Sequence, residues 1–303
     1  MAIYIAEKTL QAINDGVQKD QGGTYRKYLG VVIPTIEDAY RPESGNRSHL
    51  GASLIGQQCA RKLFYGYRWA TRKEFDGRQL RLFNRGHLEE ARFIAMLLAA
   101  GMQVYQQDEN GHQFRISEAG GHFGGSCDGV VIGCPDVQPG MPVLTEMKTH
   151  NDKSFKKLKA KGVKEAKPEH YVQMNVYMRK LGLGAALYLA VNKNDDEVYA
   201  EIIPFDPVTA DMYIDRGVRI AIATDIPDRA FKDSTFFECK WCDHSSLCWR
   251  KTMPEVNCRT CQYLEPKENG SWVCTSQGNK VIDTQTQKVG CDLYETAHYY
   301  GKD

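Results

Sequence analysis

A carboxylate and an amine stand two residues apart, Glu146 and Lys148, in the otherwise apolar run VLTEMK. On a β-strand, residues two apart share a face, so both groups point the same way while Thr145 and Met147 point the other. Charge on a buried strand costs desolvation energy unless something offsets it. Together with Asp128, upstream in SCDGVVIG, Glu146 supplies hard oxygen donors that suit magnesium or manganese, ions that keep open positions for water and phosphate oxygens. Lys148 is then placed to orient or deprotonate an attacking water and to offset charge on a phosphate in the transition state. Alone the spacing is weak, because a Glu–Lys pair is common on solvated strand faces.

Ten cysteines are the other chemical resource. Cys59, Cys127 and Cys134 are scattered, whereas Cys239, Cys242, Cys248, Cys258, Cys261, Cys274 and Cys291 crowd the last quarter. A chain of this size buries enough core to do without disulfides, and thiols clustered at two-residue gaps read as metal ligands rather than as buried hydrophobes. Cys258, Cys261, Cys274 and Cys291, opening on a C-x-x-C and closing with longer gaps, suit a structural zinc ribbon. The tail from 251 carries six Lys/Arg and seven Asp/Glu, so it reads as a small stabilising or partner-docking module rather than a DNA-binding finger. Cys239, Cys242 and Cys248 are three thiolates, one short of a tetrahedral or cubane set. Ligand exchange between the groups stays open, as do His244 and His298 as spare nitrogen ligands or plain surface residues.

The elements that must position these groups follow from pattern. The 303 residues, 42 % hydrophobic and 25 % charged, describe a globular chain of one large domain or a domain with appendages. No apolar run is long enough to span a bilayer and the N-terminal segment lacks a signal-peptide core, so a soluble, cytoplasmic protein is expected (host cytoplasm if phage-encoded), with no membrane partner. The periodicity predicts a helix over 4–20, a loop-rich stretch from Gly22 to Gly51 with DAYRPESGNRSH as an exposed turn, and helical pattern over 53–69 and 84–100. Strands follow at 103–106, 112–117, in SCDGVVIG and in PVLTEMK. A basic stretch then leads to a helix near 169–182, strands at 185–192 and 197–204, and a helix near 207–224. That order makes an α/β or α+β sheet protein, not a doubly wound nucleotide fold, and no phosphate-binding G-x-x-x-x-G-K-[ST] loop is present.

Taken together, GGSCDGVV, a Pro/Gly turn, LTEMKT and HYVQMNVYM resemble the PD-(D/E)xK nuclease superfamily, specifically its RecB-like exonuclease branch. The resemblance implies a restriction-endonuclease-like core, a mixed central sheet flanked by helices, with the cysteine-rich C-terminal metal-binding tail attached. It assigns Asp128 as the first acid, Glu146 and Lys148 as the E-x-K, and Gln173 with Tyr177 as the Q-x-x-x-Y element, which steadies the lysine or the DNA. Cys127 stands where the superfamily name expects proline. In RGHLEEARF, Gly86 and Glu90 fit a G-x-x-x-[E/H] helix motif, which makes Glu90 a third acidic metal ligand. His87 competes, and a plain exposed Glu89–Glu90 pair is the bland alternative. The divided pattern of Cys59 ahead of the core and Cys239, Cys242 and Cys248 behind it is similar to iron–sulfur nucleases of the AddB and CRISPR-adaptation kinds. It implies a [4Fe–4S] cluster, zinc at the same thiolates being the alternative. The implied organisation is an N-terminal helical and loop segment over 1–52, a nuclease core over 53–250 closed by the cluster, and a zinc-ribbon-like tail over 251–303.

Charge is segregated although the formal net is +1. Residues 60–92 hold nine Lys/Arg against four acids, interleaved with Phe64, Tyr65, Tyr67, Trp69 and Phe83, and residues 151–170 hold seven lysines against three acids. Basic grooves track phosphates and aromatics stack on unpaired bases, so sequence-independent DNA binding is expected, against ordinary solvated helix faces. The reading is a Mg- or Mn-dependent DNA exonuclease of phage or bacterial recombination or replication. A catalytically silent iron–sulfur DNA-binding or scaffolding subunit and a structure-trimming endonuclease are the rivals. A homo-oligomer or a recombination partner protein is left open.

Overall fold

The computed structural model describes residues 2–39, 47–72 and 74–301, and most of the expected DAYRPESGNRSH turn lies outside them. The chain divides into two compact units, neither continuous in sequence: Met1–Ser44 with Phe75–Ile116 and Ser126–Asp211, and Gly45–Glu74 with Ser117–Gly125 and Met212–Asp303. These units cut the chain differently from the three consecutive segments over 1–52, 53–250 and 251–303.

The first unit contains α1 (Glu7–Gln18), α2 (Gly23–Ala39), α3 (Gly77–Ala99), β1 (Gln103–Tyr105), β2 (Gly129–Ile132), β3 (Val143–His150), α4 (Asp152–Ala166), α5 (Pro168–Leu181), β4 (Ala185–Asn192) and β5 (Val198–Pro204). Its mixed sheet runs β1-β2-β3-β4-β5. Only β3 and β4 are parallel, and α4 with α5 forms the long crossover that a parallel pair requires. Strand alternation sorts the side chains. Val143, Met147, Leu187, Leu189 and Val191 join Ile13, Val32, Phe93 and Leu97 in one core. Glu146, Lys148, His150 and Tyr188 take the opposite phase. A Cβ on Gly16 would lie 2.5 Å from the Ala99 carbonyl oxygen, so glycine alone lets α1 come this close to the end of α3.

One expectation fails here, and one stretch given no element proves to be helical. The stretch expected to be loop-rich from Gly22 holds α2 instead: Leu29, Val32, Ile33 and Ile36 recur at helical spacing and pack into the core, and the helix accommodates Pro34. The basic stretch before α5 is itself a helix, begun by Asn151, whose side chain accepts from the Ser154 N–H at 2.9 Å, and anchored by buried Phe155, Leu158 and Val163. At the start of α3, Asp76 accepts from the Gln79 N–H at 2.7 Å while Gln79 accepts from the Asp76 N–H at 3.1 Å, a reciprocal cap.

In the second unit, Leu50 and Gly51 pair in parallel with Phe123 and Gly124, and a small antiparallel sheet joins Leu264–Pro266, Trp272–Cys274 and Lys280–Val281. Arg259, 1 % exposed, lies over the rings of Trp69, Trp272 and Tyr67 at 3.8, 4.6 and 5.0 Å. It donates to Gln287 Oε1 at 2.8 Å and to the Tyr67 and Ser48 carbonyls, each at 2.9 Å. Phe64, Tyr65, Tyr67 and Trp69 are therefore not base-stacking platforms: all four are buried, because the helix Ala60–Tyr67 turns its aromatic side into this cluster. Of the expected set only Phe83, in the first unit, is exposed, edge-on to Phe75 at 4.9 Å.

Candidate active site

Asp128 closes the turn into β2, where Gly129 adopts φ +152° with the Tyr105 carbonyl oxygen only 2.8 Å from where a Cβ would sit. From there Asp128 Oδ2 accepts from the Met147 N–H at 2.8 Å, which fixes the carboxylate against the middle of β3. Glu146 is 0 % exposed; its Oε2 accepts from Gln173 Nε2 at 3.0 Å, and its Oε1 touches the Lys148 ammonium without forming a well-aligned hydrogen bond. Lys148 Nζ lies 3.9 Å from Asp128 Oδ2 and donates to the Met147 carbonyl at 3.2 Å. Burial, and then the Asp128 charge, push the Glu146 carboxyl up, against the pull of Lys148 and Gln173. Burial opposes the Lys148 charge, but Glu146 and Asp128, with Glu90 beyond them, hold its pKa above the usual lysine range.

Glu90 is half-buried on α3 and its charge bears on Lys148, whereas Glu89 is buried and bonded to Arg92 at 3.0 Å. The bland alternative of an exposed Glu89–Glu90 pair therefore does not hold. His87, its competitor, is half-buried, and burial lowers its pKa. Gln173 engages the carboxylate rather than the lysine, and Tyr177, 2 % exposed, stands one turn further along α5. Cys127 is buried, which pushes its thiol up to about 12.

Both cysteine quartets converge within the second unit. Cys59 caps the helix Ala60–Tyr67 and its Sγ accepts from the Lys62 N–H at 3.4 Å. Burial raises Cys239, as do Cys248 and Cys59, and burial with Cys59 nearby raises Cys242. Cys258, Cys261, Cys274 and Cys291 line one cavity of about 70 Å³, where burial and the other three thiols raise Cys258. All ten cysteines are free thiols. His244 is buried and bonded to Thr71 Oγ1 at 3.0 Å, so it is not a plain surface residue. Among the described residues no group of three or more His, Cys, Asp or Glu side chains is arranged to hold a metal ion as it stands. The donor types nevertheless fit their expected ions. A buried carboxylate oxygen with acceptor capacity left over suits a hard divalent cation, and four gathered thiols suit zinc or an iron–sulfur cluster.

One polar chain beside this site is absent from the sequence expectations. Lys167 donates to Ser154 Oγ, which lies 3.4 Å from His150 Nδ1; His150 Nε2 is 2.9 Å from the Tyr188 hydroxyl, which is 2.9 Å from His170 Nδ1. Burial, followed by the charges of Lys167, Lys148 and Lys193, holds His150 down to about 4. Burial, with Lys148, His150 and Lys167, holds His170 down to about 3. The signal was legible as spacing: His150 extends the E-x-K phase by two residues, and His170 precedes Gln173 by three on α5.

No family model matches the sequence, and no curated protein matches it significantly. Among solved structures, SSO0001 overlaps at a TM-score of 0.40 with 14 % identity, covering 77 % of this chain and 99 % of that one. LHK-Exo in complex with dAMP overlaps at 0.40 with 16 % identity over 57 % of this chain and 86 % of that one. The alkaline exonuclease LHK-Exo from Laribacter hongkongensis overlaps at 0.40 with 14 % identity, covering 64 % and 90 %. No helix among the described residues is long and apolar enough to cross a membrane.

Proposed function

We infer that the chain is a metal-dependent deoxyribonuclease of the RecB-like PD-(D/E)xK kind, an exonuclease acting on DNA without sequence preference. One observation carries the reading: Asp128, Glu146 and Lys148 meet across β2 and β3, with Gln173 hydrogen-bonded to the buried carboxylate. Asp128 and Glu146, with Glu90 as the third acid, would hold magnesium or manganese, which supplies Lewis acidity toward the scissile phosphate. Gln173 holds Glu146 in the phase of β3 that faces Lys148. Lys148 orients the attacking water and offsets charge on the phosphate as the phosphorus–oxygen bond breaks. Tyr177, buried one turn beyond Gln173 on α5, completes the Q-x-x-x-Y element. In the second unit, Cys59, Cys239, Cys242 and Cys248 would hold a [4Fe–4S] cluster, and Cys258, Cys261, Cys274 and Cys291 a structural zinc. DNA is the partner, with a homo-oligomer or a recombination protein left to experiment.

The test is hydrolysis of end-labelled linear DNA against closed circular DNA with magnesium or manganese. Loss of label from linear DNA with circles intact is expected. Cut circles would move the reading to an endonuclease, and binding without hydrolysis to a silent scaffold. Protein kept anaerobic should contain about four irons and one zinc per chain. Two zincs and no iron would overturn the cluster while leaving the nuclease standing.

A further inference from the structure

The chain Lys167–Ser154–His150–Tyr188–His170 has a direction. An ammonium only donates, so the Ser154 oxygen accepts from Lys167 and its own proton is free for His150 Nδ1. With the Ser154 proton directed to His150 Nδ1, His150 carries its own proton on Nε2 and donates it to the Tyr188 oxygen, and the tyrosine proton goes to His170 Nδ1. This leaves His170 as the Nε2–H tautomer, and that nitrogen has no partner among the described residues. Each donor polarises the next, so the terminal N–H is a stronger donor than an isolated imidazole offers. The rings of His150 and His170 stack with centroids 6.0 Å apart, which fixes the orientation. Lys148 and Lys167 bear on both imidazoles, and Lys193 on His150, making the locus favourable for an anion.

Resting on the nuclease reading, we propose that His170 Nε2–H, in the field of Lys167, binds a non-bridging oxygen of the phosphodiester next to the scissile one. The placement matches the ligand. Lys148 and His150 are two residues apart on β3, about 7 Å along the strand, comparable with the step between successive phosphates of an extended nucleic acid. The rings of His150, Tyr188 and His170 form a triangle with sides of 5.8–6.5 Å, and the Lys148 charge bears on His170, so an oligonucleotide whose scissile phosphate sits at Lys148 would bring its neighbouring phosphate to this donor. The recognised chemistry is a dianionic run of two phosphates, not a base, consistent with binding that ignores sequence.

The experiment uses the full chain with magnesium and linear oligonucleotides carrying one methylphosphonate, which removes the charge and one acceptor, on either side of the scissile position. Wild type should lose about tenfold in kcat/KM when the contacted phosphate is replaced, and His170→Ala about tenfold on unmodified DNA. In His170→Ala the methylphosphonate should cost nothing further, since both changes remove one contact. His170→Gln, which keeps an N–H near the Nε2 position, should recover most of the rate. Full wild-type activity on both modified substrates, or additive losses in the variant, would overturn the subsite while the nuclease stands. Absence of hydrolysis of unmodified DNA by wild type would overturn the nuclease reading and this subsite together. The wild-type arm decides the matter even where the alanine variant fails to fold.

Discussion

Arg259 in the second unit and Lys148 in the first are cations drawn away from water into different surroundings. Arg259 meets three aromatic faces and three neutral acceptors, one at each guanidinium nitrogen. Burial still lowers it to about 10, but nothing in its coordination asks for another group. Lys148 instead leans on two carboxylates, one of which keeps a buried oxygen without an aligned donor. A saturated buried charge specifies architecture, whereas an unsaturated one marks where a ligand is still to be accommodated.

The comparison breaks most sharply at Lys148. Lys148→Ala or Glu146→Ala should lower hydrolysis by about 10³-fold or more with DNA binding retained, read by product formation and by anisotropy. Full activity in either variant would remove the distinction between the two clusters. Arg259→Met should act on stability, with the urea-unfolding free energy falling by about 2–4 kcal/mol through lost cation–π contacts and stranded carbonyls. Arg259→Lys should recover little of it, because an ammonium cannot fill the fork geometry.

A gentler test uses pH. His150 and His170 titrate far below an unfolded histidine, so between about 6.5 and 4 the unfolded chain binds protons that the folded chain refuses. Stability should therefore fall as pH drops through that window and be fully present above it. A His150→Gln variant should show a shallower fall in urea midpoint between those limits, and an equal slope would place the imidazoles in contact with solvent. The smallest effect belongs to the lysines of α4. Lys156 is paired with Asp152 at 2.8 Å and Lys159 with Glu197, exposed pairs of little energetic weight. If this helix tracks DNA, replacing Lys156, Lys157 and Lys159 should flatten the dependence of log affinity on log salt by about 0.7–0.9 per lost contact. An unchanged slope would leave α4 a solvated face.

The acidic strand pair was readable from sequence because chemistry and period coincide there: Glu146 and Lys148 share a phase on an apolar strand, β4 has its expected ends, and β3 starts one residue later and runs two residues further than expected. The α2 helix was hidden by Gly23, Pro34 and Gly30, local signals that the apolar period overrode through packing on α3. Aromatics among bases looked like a nucleic-acid surface, but Tyr67 and Trp69 pack on Arg259, and Phe64 and Tyr65 on Tyr299 and Tyr300, pairings no local window contains. His150 and His170 share the difficulty: each is an ordinary histidine alone, and only the fold brings both to one tyrosine hydroxyl.

The long reach of Arg259 also sets a schedule. Its bond to the Ser48 carbonyl spans 211 residues, so during synthesis at about 5–20 residues per second the first half of that cluster waits about 10–40 s for its keystone. Through that interval Tyr67 and Trp69 lack the Arg259 guanidinium, and for most of it Cys59 lacks Cys239, Cys242 and Cys248. A nascent chain stopped before residue 259 should therefore leave the Tyr67 and Trp69 rings without the guanidinium that covers them in the finished unit.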